Sequence, residues 1–370
     1  MEEVKVSNFN DLKKIMGIHM RIRVLIAQSR FWEGSGTTSM QCPQSQTKFQ
    51  SYGSRKFQSC MRKILTYSSE RDINNLTKEV LKMSTQQRRS LGRTGEKLSI
   101  VGFGGIIVMD ERPKDAAEYV SMAIDRGVNY FDVAPQYGNA QKILGPALKP
   151  YRKDCFLACK TLERTKAKAA KDLARSLKLL KTDYFDLYQL HGVITLEEVD
   201  RIMGPDGALE AFIEAKDKGI IRHIGFSAHT EEAALALMDC YDFDSILFPF
   251  NWVCWLKDGF GPKVLERAKE KNMGILALKA LAKRTLGKDE EKKWSKCWYA
   301  PVDNYDEASL ALRFTLSKPV TAAVSPSHAE LLWLACDIAD KFKPITEEET
   351  KTLKERAKKI NSITATLKSA

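Results

Sequence analysis

The sequence predicts an α/β fold of the (β/α)8 TIM-barrel class, with an N-terminal β-hairpin plug and a non-barrel N-terminal extension. Three observations carry this prediction. After about Ser90, short runs rich in Val, Ile, Phe and Leu alternate with longer amphipathic stretches. The alternation recurs eight times, which argues for parallel strands joined by helical crossovers. Strand-like runs also end on ionisable residues, Asp132, Lys160 and His191, as expected of strands that deliver groups to one face of a barrel.

The elements follow in order. Arg88 to Glu96, centred on Arg93-Thr94-Gly95, reads as a hairpin able to plug the barrel floor, and Ser99–Gly104 as the first strand. Lys114–Asp125 is a helix stopped by Gly127, and Asn129–Val133 the second strand. Asn139–Leu148 is a helix ending before Pro150, Cys155–Cys159 the third strand, and Lys166–Leu180 a helix. Tyr184–Leu190 is the fourth strand, closed by His191, with a helix from Ala208 to Lys218 and Gly219 as its stop. Arg222–Ser227, Asp244–Phe250, Gly274–Leu278 and Val320–Val324 are the remaining strands. Glu231–Cys240, Pro262–Lys271 and Asp306–Leu316 are the helices between them, and a further helical region follows the eighth strand. A doubly wound sheet is the alternative architecture. It would want a Gly-rich phosphate loop, and Gly102-Phe103-Gly104-Gly105 lacks the GxGxxG spacing.

Residues 1–83 do not share this rhythm. They hold fourteen Lys and Arg against seven Asp and Glu, so they carry +7 of the formal +12. They are expected to be a basic extension, disordered or non-native, ahead of a barrel over 84–370. Lys78-Glu79-Val80 can be encoded by AAG-GAG-GTN, a purine-rich ribosome-binding sequence just upstream of Met83, so Met83 is the expected start. N-terminal sequencing that finds earlier residues in the native protein refutes this. Glu2 and Glu3 are wrong for a secretory or organellar signal, and the expected location is cytoplasmic. No stretch is long and apolar enough to span a bilayer, and no basic-aromatic patch argues for nucleic acid. The eight cysteines form no CxxC pair, which points to free thiols in a reducing compartment and to no metal site. Oligomeric state is open.

The strand-end residues also carry a resemblance. Asp132-Val133-Ala134-Pro135-Gln136-Tyr137-Gly138 resembles the D-x-A-x-x-Y-G signature of the aldo-keto reductase superfamily. Ala158-Cys159-Lys160-Thr161 is similar to its strand-end lysine, and Asp186-Leu187-Tyr188-Gln189-Leu190-His191 to its D-L-Y-x-x-H. Ile220 to Ser227 is similar to its G-x-I-R-x-I-G-x-S, and Leu91-Gly92-Arg93-Thr94-Gly95 to its opening hairpin. The likeness runs from about Gln86 to Leu367. It implies a (β/α)8 barrel and reversible hydride transfer between NADP(H), or NAD(H), and a small carbonyl or alcohol substrate. It implies Tyr137 as general acid, Lys160 as its electrostatic partner, Asp132 as the lysine's counter-ion, and His191 as a substrate-orienting donor. Expected cofactor contacts are Gly104, Gly105, Ser227, Asn251, Lys279, Leu281, Lys283, Ser325, Ser327 and His328. Either Lys279 or Lys283 is placed to meet a phosphate. Relatives with a C-terminal cysteine cluster hold an iron–sulfur centre; this chain carries no such cluster there, so none is expected.

The chemistry explains the residue types. Hydride arriving at a carbonyl carbon leaves negative charge on oxygen, which a donor must stabilise and then protonate. A free Tyr has a pKa of about 10; an adjacent ammonium is expected to lower it. Lys160 does this while it stays charged, which Asp132 would ensure. The chain departs from the family pattern at Ala228, followed by His229, and at Leu247. Further departures are the Leu278-Lys279-Ala280-Leu281 turn, the Ser325-Pro326-Ser327-His328 loop, and Trp333, Ala335 and Cys336 in the helix beyond. These leave the choice of NADPH over NADH open. His229 either lines the pocket or helps start the helix near Glu231. Gly104 and Gly105 either admit close backbone approach beside the substrate or relieve a turn. Trp252, Trp255, Trp294 and Trp298 either wall the substrate or cover the rim. Two other functions compete: a nucleotide-binding scaffold or sensor with little catalysis, and a lyase or isomerase using Lys160 as a Schiff-base nucleophile.

Overall fold

A computed structural model of the chain describes residues 86–368. The expectations about residues 1–83, Met83 included, lie outside the described residues. Eight parallel strands close into a barrel: β3 (Val101–Gly104), β4 (Tyr130–Asp132), β5 (Phe156–Thr161), β6 (Phe185–Val193), β7 (Ile221–Ala228), β8 (Ser245–Phe248), β9 (Gly274–Ala277) and β12 (Ala322–Val324). They pair in sequence order, and β12 closes the ring between β9 and β3. Ahead of them, β1 (Arg88–Ser90) and β2 (Lys97–Ser99) form the antiparallel hairpin. The closed ring decides against the doubly wound sheet.

Side-chain alternation along each strand separates two cores. Tyr130, Phe156, Ala158, Leu187, Leu247, Leu276 and Ala322 fill the barrel interior together with Leu91 and Leu98 of the hairpin. Phe131, Leu157, Cys159, Tyr188, Phe226, Ile246 and Ile275 point outward, into the larger core beneath the helices. The hairpin therefore plugs the floor. Gly92 permits it: its φ is +51°, and a Cβ there would lie 2.3 Å from the Gly274 nitrogen. Arg93 then donates to the carbonyls of Lys271, Asp242 and Phe243 at 2.7–2.9 Å.

The expected boundaries shift in places. Ser99–Gly104 is not one strand: Ser99 ends the hairpin, and the barrel strand begins at Val101. Lys160 and His191 lie within β5 and β6 rather than closing them. Two short helices were not anticipated. Leu196–Met203 starts on a capping box between Thr195 and Glu198. Trp252–Asp258 starts on Asn251, whose side chain accepts from the backbone N–H groups of Val253 and Cys254. A second hairpin, β10 (Ala282–Thr285) with β11 (Tyr299–Pro301), rises after β9. Its connecting loop carries the charged run Lys288–Lys293, which is exposed. Among the described residues no helix is long and apolar enough to cross a membrane.

Candidate active site

The parity that buries Tyr130, Phe156 and Leu187 inside the barrel also turns inward the residues further along each strand. On β4 that residue is Asp132. On β5 it is Lys160, after Ala158. On β6 it is Gln189 and then His191, at the C-terminal ends where barrel sites form. Asp132 and Lys160 are buried, at 2% and 1% exposure. They form an ion pair through Asp132 Oδ1. Asp132 Oδ2 accepts from Tyr130 OH and from Gln189 Nε2, both at 3.1 Å. Every face of the carboxylate thus meets a donor, as a buried charge requires.

Tyr137 and His191 stand above this pair. Lys160 Nζ lies 5.5 Å from the centre of the Tyr137 ring, and the Tyr137 and His191 rings meet edge to face at 6.3 Å. Both are half-buried. Burial would push the Lys160 ammonium down, but the Asp132 carboxylate, with Tyr137 beside it, raises it on balance, so the lysine is charged at neutral pH. Tyr137 departs from expectation. Burial pushes its phenol above the ordinary value and outweighs the downward pull of Lys160. The phenol is held protonated at rest. Burial, reinforced by Lys160, pushes His191 well below its usual range, so its ring is neutral. Its Nδ1 lies 2.9 Å from Gln136 Oε1, and its carbonyl accepts from Arg164 at 2.8 Å. When Nδ1 donates to Gln136, Nε2 is left as an acceptor; with the amide turned over, the proton moves to Nε2.

The remaining predicted residues divide. Ser227 Oγ accepts from the Gly192 N–H at 2.8 Å, and Ser325 Oγ from the Gly104 N–H at 3.0 Å, so both serines tie neighbouring strands together. A Cβ on Gly104 would meet the Ser325 carbonyl at 2.7 Å, and one on Gly105 would meet Val133 at the same distance. The close approach at both glycines is between strands. Asn251 donates to the carbonyls of Lys279 and Ala282 and accepts from two helix N–H groups, filling its amide's capacity. Leu281 is buried. Lys283 is paired with Glu307 at 2.8 Å. Ser327 lies 2.9 Å from the Cys297 thiol and 3.0 Å from His328 Nδ1, which fastens the loop after β10 to the loop after β12. Of the tryptophans, Trp252 is fully buried, Trp255 packs on the core, Trp294 lies edge-on to His328, and Trp298 is exposed beside Lys279. Gln189, Tyr130 and Gln136 were not singled out from sequence. Gln189 carries a signal that finds it: two residues before His191, on the same inward parity.

Comparison with known proteins agrees with this geometry. Residues 101–358 match the Aldo/keto reductase family. An uncharacterized oxidoreductase of Bacillus subtilis, YqkF, is 27% identical over 303 residues, spanning 74% of this chain and 97% of that one. L-galactose dehydrogenase of Arabidopsis thaliana is 26% identical, across 57% of this chain and 70% of that one. Among solved structures, the holo form of aldo-keto reductase AKR11C1 from Bacillus halodurans superposes with a TM-score of 0.60 at 25% identity. That superposition covers 75% of this chain and 98% of that one. Barrel, strand-end cluster and family match converge: the chain belongs to the aldo/keto reductase family, a family of oxidoreductases.

Proposed function

We propose that this chain is an NAD(P)H-dependent oxidoreductase that reversibly reduces an aldehyde or ketone to an alcohol. One observation carries the reading: a protonated Tyr137 phenol beside a charged Lys160, with Asp132 fixing the lysine. A bound nicotinamide would supply the hydride. Everything else falls to side chains of this chain. Tyr137 gives its proton to the carbonyl oxygen as charge develops there, and the Lys160 ammonium stabilises the phenolate left behind. The Asp132 carboxylate keeps Lys160 protonated through the cycle. His191, neutral, orients the substrate oxygen: a proton on Nε2 serves a carbonyl, and a bare Nε2 serves an alcohol hydroxyl. The residues beside this cluster suit an anionic dinucleotide, because among the described residues Lys279 has no carboxylate partner and the buried His229 Nδ1 has no hydrogen-bond partner.

The test is a fluorescence titration of the full chain with NADPH and, separately, NADH, followed by turnover of small aldehydes by wild type and Tyr137→Phe. Binding of either dinucleotide, with turnover reduced about 10²–10⁴-fold in the variant, is expected. Failure of both dinucleotides to bind a folded protein, or undiminished turnover in Tyr137→Phe, refutes the reading. A nucleotide-binding barrel with little catalysis is the second reading. The departures from the family pattern at Ala228, at Leu247 and in the loop after the eighth strand motivate it. Turnover that depends on Tyr137 excludes it. The Schiff-base reading is disfavoured because Lys160 is a charged, paired ammonium and so a poor nucleophile.

A further inference from the structure

The helix Lys166–Leu180 carries five Lys and Arg against one Asp. Four of the five, Lys168, Lys171, Arg175 and Lys178, recur three or four residues apart. They form one row along the solvent side, opposite the buried Ala169, Leu173, Ser176 and Leu180. All four are exposed, and Ala167, Ala170 and Ala174 border the row. Among the described residues none of the four forms an ion pair. The fifth, Lys166, pairs with Glu210 and Glu214 of the next helix. The single acid, Asp172, accepts instead from the Thr161 hydroxyl at 2.7 Å.

The row works against the stability of its own helix. Like charges three or four residues apart repel, and the row holds three such pairs in succession. The helix dipole favours acids in the first turn. Leu196–Met203, Glu231–Cys240, Tyr305–Leu316 and Glu347–Lys358 each place at least two there. Lys166–Leu180 has none, and Lys166 and Lys168 stand there instead. Its N-cap, Thr165, makes no side-chain capping bond. Elsewhere on the surface basic side chains find carboxylates: Lys216 with Asp244, Arg267 with Asp239 and Glu270, Lys269 with Glu266, and Lys358 with Glu355. The basic face also widens sideways. A Cβ on Gly145 would lie 2.7 Å from the Leu179 carbonyl oxygen, so the helix Ala140–Leu148 closes against the last turn of this one. Lys142 and Lys149, three residues before Gly145 and four after it, share its side of that helix and are exposed.

A self-repelling row that the fold leaves unmatched fits a partner that brings the opposite charge. We propose that Lys168, Lys171, Arg175 and Lys178 form a docking surface for the phosphate backbone of a nucleic acid, held by charge and indifferent to sequence. The row runs about 15 Å from Lys168 to Lys178. One strand of a duplex offers about four phosphates over that length, one for each side chain. Neither helix contains an aromatic residue to stack on a base, so the surface reads no sequence. Of the exposed large apolar residues, Leu162, Leu196, Ile213, Trp298 and Tyr305, none lies on either helix. A helix seated in a membrane interface needs such residues beside its basic ones. Residues 1–83 carry +7 and the whole chain +12, so neither the N-terminal extension nor a second copy is the matching anion. The surface is independent of the reductase reading.

The test is fluorescence anisotropy of labelled DNA duplexes of about 20 base pairs, in two unrelated sequences, titrated with the full chain over about 50–200 mM salt. Three proteins are compared. One is wild type. The row variant carries Lys168→Gln, Lys171→Gln, Arg175→Gln and Lys178→Gln. The control, of equal net charge, carries Lys351→Gln, Lys354→Gln, Lys358→Gln and Lys359→Gln, all at exposed positions. Four phosphate contacts contribute a slope of about −3.6 in log K against log salt, which is a loss of about 10²-fold over that range. Wild type and control should share that slope and bind both sequences alike. The row variant should be flatter by about 3–4 and correspondingly weaker. Circular dichroism reports folding: with the repulsion relieved, the row variant should melt no lower than wild type, and a fall of more than about 2 °C contradicts the argument. Equal slopes for row variant and control, a preference for one sequence, or no binding by wild type at about 50 mM salt overturns the proposal. Vesicles of phosphatidylcholine and phosphatidylserine at about 3:1 are offered in parallel. Capture of wild type by the vesicles and not by the duplex assigns the row to a membrane surface and overturns it as well. None of these outcomes bears on the reductase reading, which the dinucleotide titration tests separately.

Discussion

Replacing Asp132 with Asn tests the centre of the site, because the substitution keeps shape and removes charge. In the native protein Oδ1 pairs with Lys160 and Oδ2 takes hydrogen bonds from Tyr130 and Gln189 at 3.1 Å each. An amide has one accepting oxygen and one donating nitrogen, so either Lys160 or the Tyr130–Gln189 pair must face a donor. Breaking a buried pair from one side costs about 3–5 kcal/mol, since the other charge stays buried and unmatched. For a barrel of this size that corresponds to a fall in Tm of about 6–20 °C. The charge also sets a pH window. The Lys160 pKa is raised in the folded state, so its contribution is fully present below the unfolded value of about 10.4 and is lost as pH rises through the folded value. Asp132→Asn removes that contribution, and alkaline unfolding begins at lower pH. Turnover falls with it, because an uncharged Lys160 no longer stabilises the Tyr137 phenolate. The assay is thermal melting by circular dichroism from pH 7 to 11, paired with aldehyde-dependent NADPH oxidation. A variant that melts within about 2 °C of wild type across that range, with undiminished turnover, would refute the reasoning.

Four further outcomes are expected. Gln136→Leu removes the partner of His191 Nδ1 and should lower kcat about tenfold through a misoriented ring. Gln136→Glu puts a carboxylate there, lifts His191 back toward its usual range, and should add an ionisation to the kcat/KM profile; an unchanged profile refutes the positioning role. Gly92→Ala would push a Cβ to 2.3 Å from the Gly274 nitrogen at a positive φ, and should cost about 2–4 kcal/mol in denaturant unfolding. Arg313 grips Glu349 with two hydrogen bonds of 2.7 and 2.8 Å and holds its carboxyl down to about 2. The contribution of that depressed carboxyl is present above the ordinary carboxylate range and lost as pH falls from about 4.3 toward 2. Arg313→Ala should therefore flatten the acid limb of the melting curve, and an acid limb identical to wild type would count against the pair.

The barrel was legible because strand parity and helix period are local properties. The run Tyr184–Leu190 announces a buried strand whichever strand lies beside it, and Lys166–Leu180 matched its helix to the residue. The proposed quartet of Asp132, Tyr137, Lys160 and His191 could be singled out for the same reason, since each member lies on a barrel strand or in the loop just beyond one, with a motif around it. What escaped depends on closure. Ser325 bonds to Gly104 across 221 residues, and nothing in either local sequence tells which strand will lie alongside. The fourfold use of the Asn251 amide is equally invisible until the turn at Lys279 folds against it. The fall in the Tyr137 pKa was predicted with the wrong sign because a motif reveals the nearby ammonium but not the depth of burial. The helix at Leu196–Met203 carried its Thr195–Glu198 capping signal in plain view; its eight residues were too few to show a period.

The floor hairpin has a kinetic consequence. It is made before every barrel strand, yet its anchors come much later in the chain. Arg93 waits for the carbonyls of Asp242, Phe243 and Lys271, Arg89 for those of Leu316 and Val320, and Gln86 for the Cys336 thiol, 250 residues away. Contacts of such high sequence separation form late, because a large loop must close before they return any energy. The floor is therefore expected to be sealed late. A barrel with its floor still open would present Leu91, Leu98 and the lower interior of the ring as apolar surface, the kind of surface that drives aggregation.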